Sequence, residues 1–538
     1  MEQFSNAIFA ASDWLWSGPM PLILLGTGLL FTVLLGFRPI WELPKAFATL
    51  ISSGKGQGAG SISPLAALAT ALSGQIGTGN IAGVATAIAL GGPGAIFWMW
   101  MTALVGMGTS FAEATLAVRY RRVAADGSTY GGPMYYIEDG LGKAWKPLAV
   151  LFALGAVYAA FSTGNMTQAN SVANALQGAI GLPVLWGGII LGAFTFVIII
   201  GGIKSIGAVA EKVVPIMAGL YILACLTILG LNIQDIPGAL AFIVQDAFGP
   251  AQAAGGFIGA AMITGFRAGV ARGIFSNEAG QGSTPIAHAA AKTDNPVRQA
   301  RIATVGVFVD TLVVCTMTAL VILTIHGDFK FNPARAELRI CEARHGIDVP
   351  AAILDGAPSA YAQDRASVIA TKGQDVLAQL EACAAAGAPV TNDGRRAAIE
   401  DFTMPADVAW QSDLAGVEVT NEAFKQGLHA SAGIDALGSW VVTITLLLFA
   451  FTTIIGWSYY GESAVRYLCG ERLGPKMVMP FRLAWVALVV VGAVLEVQFI
   501  WRFADVATAA MTFPNLIALL LLTPVVLRLV KENKDKKS

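Results

Sequence analysis

The chain has 538 residues, of which 55% are hydrophobic and only 13% charged, with a formal net charge of -1 at pH 7. A soluble domain averages about 25% charged residues, so this is the composition of a polytopic membrane protein. The near-neutral charge and the lack of a basic patch argue against a nucleic-acid partner, and without a GxxxxGK[ST] loop or paired CxxC motifs neither ATP-driven transport nor a zinc site is supported.

Taken in order, eleven apolar segments occur, at about 20–37, 64–90, 93–118, 147–178, 183–201, 213–231, 255–290, 302–325, 436–460, 483–497 and 503–527. Ahead of them, MEQFSNAIFAASDWLWSGPM lacks the basic start of a cleaved signal peptide and reads as mature sequence. The second segment, Leu65 to Leu90 (LAALATALSGQIGTGNIAGVATAIAL), is uncharged and long enough to cross ~30 Å of hydrocarbon at ~1.5 Å per helical residue. Its middle, Gly77-Thr78-Gly79-Asn80, is poor material for a helix centre. Unwound backbone at membrane depth is tolerated where protein, ligand or a water-filled cavity satisfies it, which makes the interruption a candidate site. Glycines for close helix packing are the alternative.

The seventh segment is interrupted in the same way, by Gly273, Gly280, Gly282 and Pro285 around Phe275-Ser276-Asn277-Glu278. Between the eighth and ninth lies an insertion, 326–435, rich in Ala, Asp, Glu, Arg and Pro and large enough for a small domain. Of the 34 Lys and Arg, twenty-two fall in one set of loops, from Arg38 to the basic tail at 528–538, whereas the opposite set holds Arg502 alone besides those of the insertion. The positive-inside rule then places the N-terminus outside and the C-terminus in the cytoplasm of a multi-pass cell (inner) membrane protein. The insertion lies outside, where disulfides are permitted, and a Cys341–Cys383 bridge is predicted, with two unpaired cysteines as the alternative.

The predicted organisation is an N-terminal span and cytoplasmic loop (1–63), a first five-helix repeat (64–231), and a second (255–325 and 436–527) interrupted by the extracytoplasmic insertion domain (326–435). Each repeat opens with a Gly-interrupted helix, and the two run in opposite directions. That is the layout of secondary transporters with inverted repeats and a midplane binding site, and it favours the site reading of Gly77 to Asn80 over the packing reading.

Three stretches carry a resemblance: SGQIGTGNIAGVATAIALGGPGAIFWMW (Ser73 to Trp100), RGIFSNEAGQGSTPIAHAA (Arg272 to Ala290) and FAFTTIIGWSYYGE (Phe449 to Glu462), with STGNMTQANS around Gly164-Asn165-Met166 as a fourth. They closely resemble the signatures of the alanine or glycine:cation symporter family, also called sodium:alanine symporters. The likeness covers nearly the whole membrane part but not the insertion. It implies an all-α, leucine-transporter-like inverted-repeat fold of 11 transmembrane helices, ten core spans plus one at the N-terminus. It also implies import of small neutral amino acids coupled to Na+.

An amino acid presents a carboxylate, an ammonium and a side chain. The half-helix after the first interruption begins at Thr78 to Asn80 with free N–H groups and a positive dipole end, so the amides of Thr78 and Gly79, with the Thr78 hydroxyl, are the candidate carboxylate site. The half-helix before it ends in free carbonyls suited to Na+ or the ammonium. By resemblance, one Na+ site takes the carbonyls of Ser73 and Ile76 with the hydroxyls of Thr452 and Thr453, and a second takes the Gln75 carbonyl, the Asn80 side chain and Ser276. Gln168 is a candidate substrate contact or an interhelical hydrogen bond. Phe161, Phe275 and Trp457 are candidate walls of a pocket for hydrogen or methyl. Asp310 in VFVDTLVVCT is a candidate for cation coordination or coupling; an ion pair with Arg267 or Arg272 is the alternative, and Glu278 is a second possible partner for those arginines. Glu113, near the cytoplasmic end of its span beside Arg119, reads as structural, and a proton-relay role for His288 has no support. Runner-up functions are H+-coupled symport and a sensor built on the insertion. An enzyme would need a clustered nucleophile, His and carboxylate in the spans, and the sequence has none.

Overall fold

The computed structural model describes residues 11, 14–16, 18–124, 128–248, 258–325, 417–432, 435–495 and 497–535. Apart from a two-residue antiparallel pairing of Arg122–Val123 with Thr129–Tyr130, their regular structure is helical. Seven of the described helices are long and apolar enough to cross a membrane, among them Gly94–Arg119, Gly202–Leu231 and Pro296–Ile325. The Cys341–Cys383 pair and nearly all of the insertion fall outside the described residues.

Both interruptions are breaks. The first apolar run folds as Pro64–Gln75, a short 3-10 turn Thr78–Asn80, and Ala82–Gly91. The second folds as Ile258–Asn277 and Thr284–Ala289. The leading half of each broken helix packs on the trailing half of the other, so the two lie antiparallel. Burial separates centre from rim. In Pro64–Gln75 every residue except Leu65 is buried, whereas Val184–Ile199 exposes Trp186, Phe194 and Val197 along one side. An apolar face of that extent suits contact with lipid, and the all-round burial of the broken helix places it at the centre of the bundle.

Three features depart from the sequence reading. The sixth apolar segment begins helically at Gly202, well before residue 213, because Lys204, Glu211 and Lys212 continue the helix beyond its apolar part. The run 435–494 turns at Gly470, whose φ of 69° favours glycine. The last stretch of the insertion, Val417–Ala432, is a helix packed into the bundle, burying Val419, Thr420, Ala423 and Phe424 on one face. Those positions recur at helical spacing, so their burial follows from the amphipathic pattern.

Candidate functional site

At the first break Ile76 and Gly77 are extended (φ -77°, ψ 91° and φ -136°, ψ -151°). One side chain of the break itself and three from other helices take up the freed backbone. Asn80 Oδ1 accepts from the Gly77 amide at 2.9 Å, Thr318 donates to the Asn80 carbonyl at 2.8 Å, Thr420 to Ile81 at 3.1 Å and Thr453 to Ile76 at 3.4 Å. A β-carbon on Gly77 would lie 2.7 Å from Thr453 Oγ1, which is why glycine stands there. The Thr78 amide donates to Gln168 Oε1 at 3.3 Å. The Thr78 hydroxyl, fully buried, has no hydrogen-bond partner among the described residues.

At the second break Glu278 has a left-handed φ of 57°, followed by Gly280 and Gly282 at 87° and 86°. Glu113 holds this turn: its carboxylate accepts from the Gly280 and Gly282 amides at 3.2 and 3.0 Å and from Asn515 Nδ2 at 2.7 Å. Its partners are thus the amides of the second break and Asn515. Glu278 accepts from Trp457 Nε1 at 2.7 Å and from Ser283 at 2.6 Å. These donors, not the intramembrane arginines, are its partners.

Between the breaks lies Asp310, fully buried in a π-helical segment, Phe308–Cys315. Its Oδ1 accepts from Asn80 at 2.7 Å, and its Oδ2 from Ser276 and Thr311, each at 2.7 Å. None of its partners is an arginine; Arg272 lies over the Phe275 ring, 5.9 Å from its centroid. The ion-pair alternative for Asp310 is thereby replaced by a ring of neutral oxygen and amide groups. π segments concentrate at functional sites, and a second one, Ser162–Met166, lies just ahead of Gln168, whose Oε1 meets the Thr78 amide.

Most of the expected residues come together here. Phe275 and Ser276 abut Gly79. Gln75 donates from Nε2 to the Asn277 carbonyl at 2.5 Å and leaves its buried Oε1 unpartnered. Trp457 sits against Gly164, where a β-carbon would enter the indole ring. Gln168 makes the interhelical bond, and makes it to the very amide expected to meet a carboxylate. Ser73 directs its hydroxyl to the Thr70 carbonyl at 2.7 Å, leaving it turned along its own helix.

Two residues are turned elsewhere. The Thr452 hydroxyl bonds the Phe449 carbonyl at 2.9 Å and lies 3.3 Å from Met217 Sδ, so of the first Na+ set only Thr453 meets Ile76. Phe161 packs on Phe481 and Trp485. The π segment after it adds a residue to the turn and rotates the register, removing Phe161 from the face that carries Gln168. Sequence reasoning missed Thr311, Thr318, Thr420 and Asn515; only Thr311, beside Asp310, carried a local signal.

The family model for the sodium:alanine symporter family matches residues 1–341 and 398–538. The chain belongs to the sodium:alanine symporter family. The residues that the family model leaves unmatched fall within the insertion. Sodium/alanine symporter AgcS of Methanococcus maripaludis is 40% identical over 97% of this chain and 96% of that one. An uncharacterized transporter of Haemophilus influenzae is 42% identical over 98% and 95%, and the Bacillus subtilis protein named probable sodium/glutamine symporter GlnT is 35% identical over 98% and 90%. The family identity makes this a transport protein.

Proposed function

We propose that this symporter imports a small neutral amino acid, alanine or glycine, together with Na+ by alternating access, from a site at the two breaks. The carrying observation is the Thr78 hydroxyl, buried without a partner at the start of a half-helix. Burying a hydroxyl unpaired costs about 1–3 kcal/mol, a cost that a bound carboxylate would relieve. The carboxylate then takes the Thr78 hydroxyl and the Thr78 and Gly79 amides, displacing Gln168 Oε1, which turns to the ammonium. Phe275 and Trp457 wall the side-chain pocket, and the name of the GlnT relative makes glutamine a cargo to test beside alanine.

Na+ is a hard cation that prefers oxygen ligands, and a carboxylate buried without a basic partner needs a compensating cation. Asp310, Ser276 and Thr311 supply oxygens for that set, which Asn80 joins if its amide turns so that Oδ1, now accepting from the Gly77 amide, replaces the Nδ2 that faces Asp310; Ile76 and Thr453 form a second. Na+ held there favours the closed state by its differential affinity for it. We place the helices in a leucine-transporter-like arrangement of 11 spans in the cell inner membrane, with the C-terminus cytoplasmic. Uptake of labelled alanine, glycine and glutamine into proteoliposomes, with Na+ or with choline outside at fixed pH, tests the reading. Equal uptake in the two cations rejects Na+ coupling in favour of H+.

A further inference from the structure

Away from the cargo site, the segment leading into the first broken helix runs beside the segment leaving the second. Ile62 and Ala291 form a parallel bridge; Ser61 and Ile62 donate to the Ala290 carbonyl at 2.8 and 3.1 Å, and Thr293 donates to Ala59 at 3.2 Å. Arg121 ties the two together. Its guanidinium donates to the carbonyls of Ala59, Ala289, Ala291 and Thr293 at 2.5 to 3.2 Å, and its side chain is only 7% exposed. Gly60, at φ 148°, has no room for a β-carbon because the Ala291 carbonyl lies against it.

One cation thus gathers carbonyls from both segments, beside Asp294, whose Oδ1 accepts from the Ala59 amide at 3.1 Å and lies 3.9 Å from the guanidinium; a lysine, with one ammonium on a flexible stem, could not stand in for a planar fork that reaches four acceptors at once. The contact joins these hydrogen bonds to the buried side chains of Ile62, Ala289, Ala290 and Ala291 and lies at the basic side, cytoplasmic in the proposed orientation. Its backbone and guanidinium groups can be hydrated on parting, so the hydrogen-bonded part of the contact is exchanged for bonds to water at little net cost. The segments it joins continue directly into Pro64–Gln75 and from Thr284–Ala289.

We propose that Arg121 is a positioning residue for transport: it clasps the inner halves of both broken helices, and each cycle requires the clasp to part and re-form. The proposal rests on the alternating-access reading. Its test uses the full chain with its five cysteines replaced. In one arm, Ala59→Cys with Thr293→Cys is oxidised; we expect a cross-link, a loss of alanine uptake of at least tenfold, and recovery with reductant. A linked protein transporting at the reduced rate overturns the proposal, and so does a pair that oxidation leaves unlinked, since the clasp is then not closed.

In the second arm Thr70→Cys, buried in the leading half, reports opening through labelling by an impermeant maleimide in inside-out vesicles. Arg121→Ala should raise its labelling rate about tenfold and Arg121→Lys by less. Arg121→Lys should also lower the maximal uptake rate while leaving the alanine KM within twofold. Unchanged labelling in Arg121→Lys, the variant better able to fold, overturns the clasp. Labelling needs no cargo, so its failure is distinguishable from a failure of the Na+ and amino-acid reading.

Discussion

Asn80 and Asp310, 230 positions apart, share a 2.7 Å hydrogen bond between the first break and a π segment of another helix. The same asparagine accepts from the Gly77 amide, so one side chain both holds the first break open and touches the buried carboxylate. Asp310→Asn keeps the size and an acceptor for Asn80, and its new amide can donate to Ser276 and Thr311, so the fold should survive. The charge is lost. Hydrogen bonds and contacts to a charged group contribute about 1.5–3 kcal/mol, so the Na+ concentration for half-maximal alanine uptake should rise at least about tenfold. A Na+ titration of uptake in proteoliposomes decides; an unshifted midpoint removes Asp310 from the ion site.

The Thr78 hydroxyl invites a second prediction because it has two opposite expected effects. Thr78→Val deletes a buried polar group that has no partner among the described residues, so thermal stability should hold or increase slightly. Without the hydroxyl the bound carboxylate loses one donor, and KM for alanine should rise about ten- to a hundredfold, by ~1.5–3 kcal/mol. Thr78→Ser should restore most of the affinity. A melting curve and an uptake series on the same preparations check both, and a falling melting temperature with unchanged KM would mean that Thr78 serves packing.

The third concerns Gly164, whose missing β-carbon makes room for the Trp457 ring. Gly164→Ala must push the indole away or straighten the π segment, and forced overpacking of this kind costs about 1–3 kcal/mol. Because Trp457 is also fixed by its bond to Glu278, the shift should reach the second break. Alanine uptake should fall at least tenfold, and tryptophan fluorescence should report the altered indole environment. Full uptake with a displaced indole would separate Trp457 from the cargo pocket.

How much of this could be read from the chain differs residue by residue. The breaks were legible because glycine, asparagine and proline in an apolar run have few other uses at membrane depth, and Asp310 was legible as an ionisable group among valines. The contact of Asp310 with Asn80 was not, since two helices decide it from opposite ends of the fold. The π segments were hidden as well: STGNM suits an ordinary helix, and only packing adds the extra residue. That is why Phe161 was placed with Gln168 and lies instead on Phe481 and Trp485. Thr420 was not legible because the charged and Pro-rich composition around it is that of a separate domain, while its own helix packs into the bundle and reaches Ile81.

Glu113 supplies the last prediction. Its carboxylate receives three donors, the amides of Gly280 and Gly282 and Asn515 Nδ2, which itself also donates to the Gly280 carbonyl at 2.9 Å. Two left-handed glycines, on either side of Gln281, present their amides to this one side chain, which satisfies both. In Glu113→Gln one acceptor oxygen becomes an NH2 group facing an N–H donor. A buried donor left unsatisfied costs about 1–3 kcal/mol, more where the lost partner was charged. The melting temperature should therefore drop, and Glu113→Asp, one methylene too short for both amides, should drop it as well. Because Glu113 touches the scaffold of the second break and not the groups assigned to cargo, the protein that remains folded should bind alanine with a KM within about threefold of the parent. A large rise in KM at unchanged stability would instead assign Glu113 to the cargo or its ion.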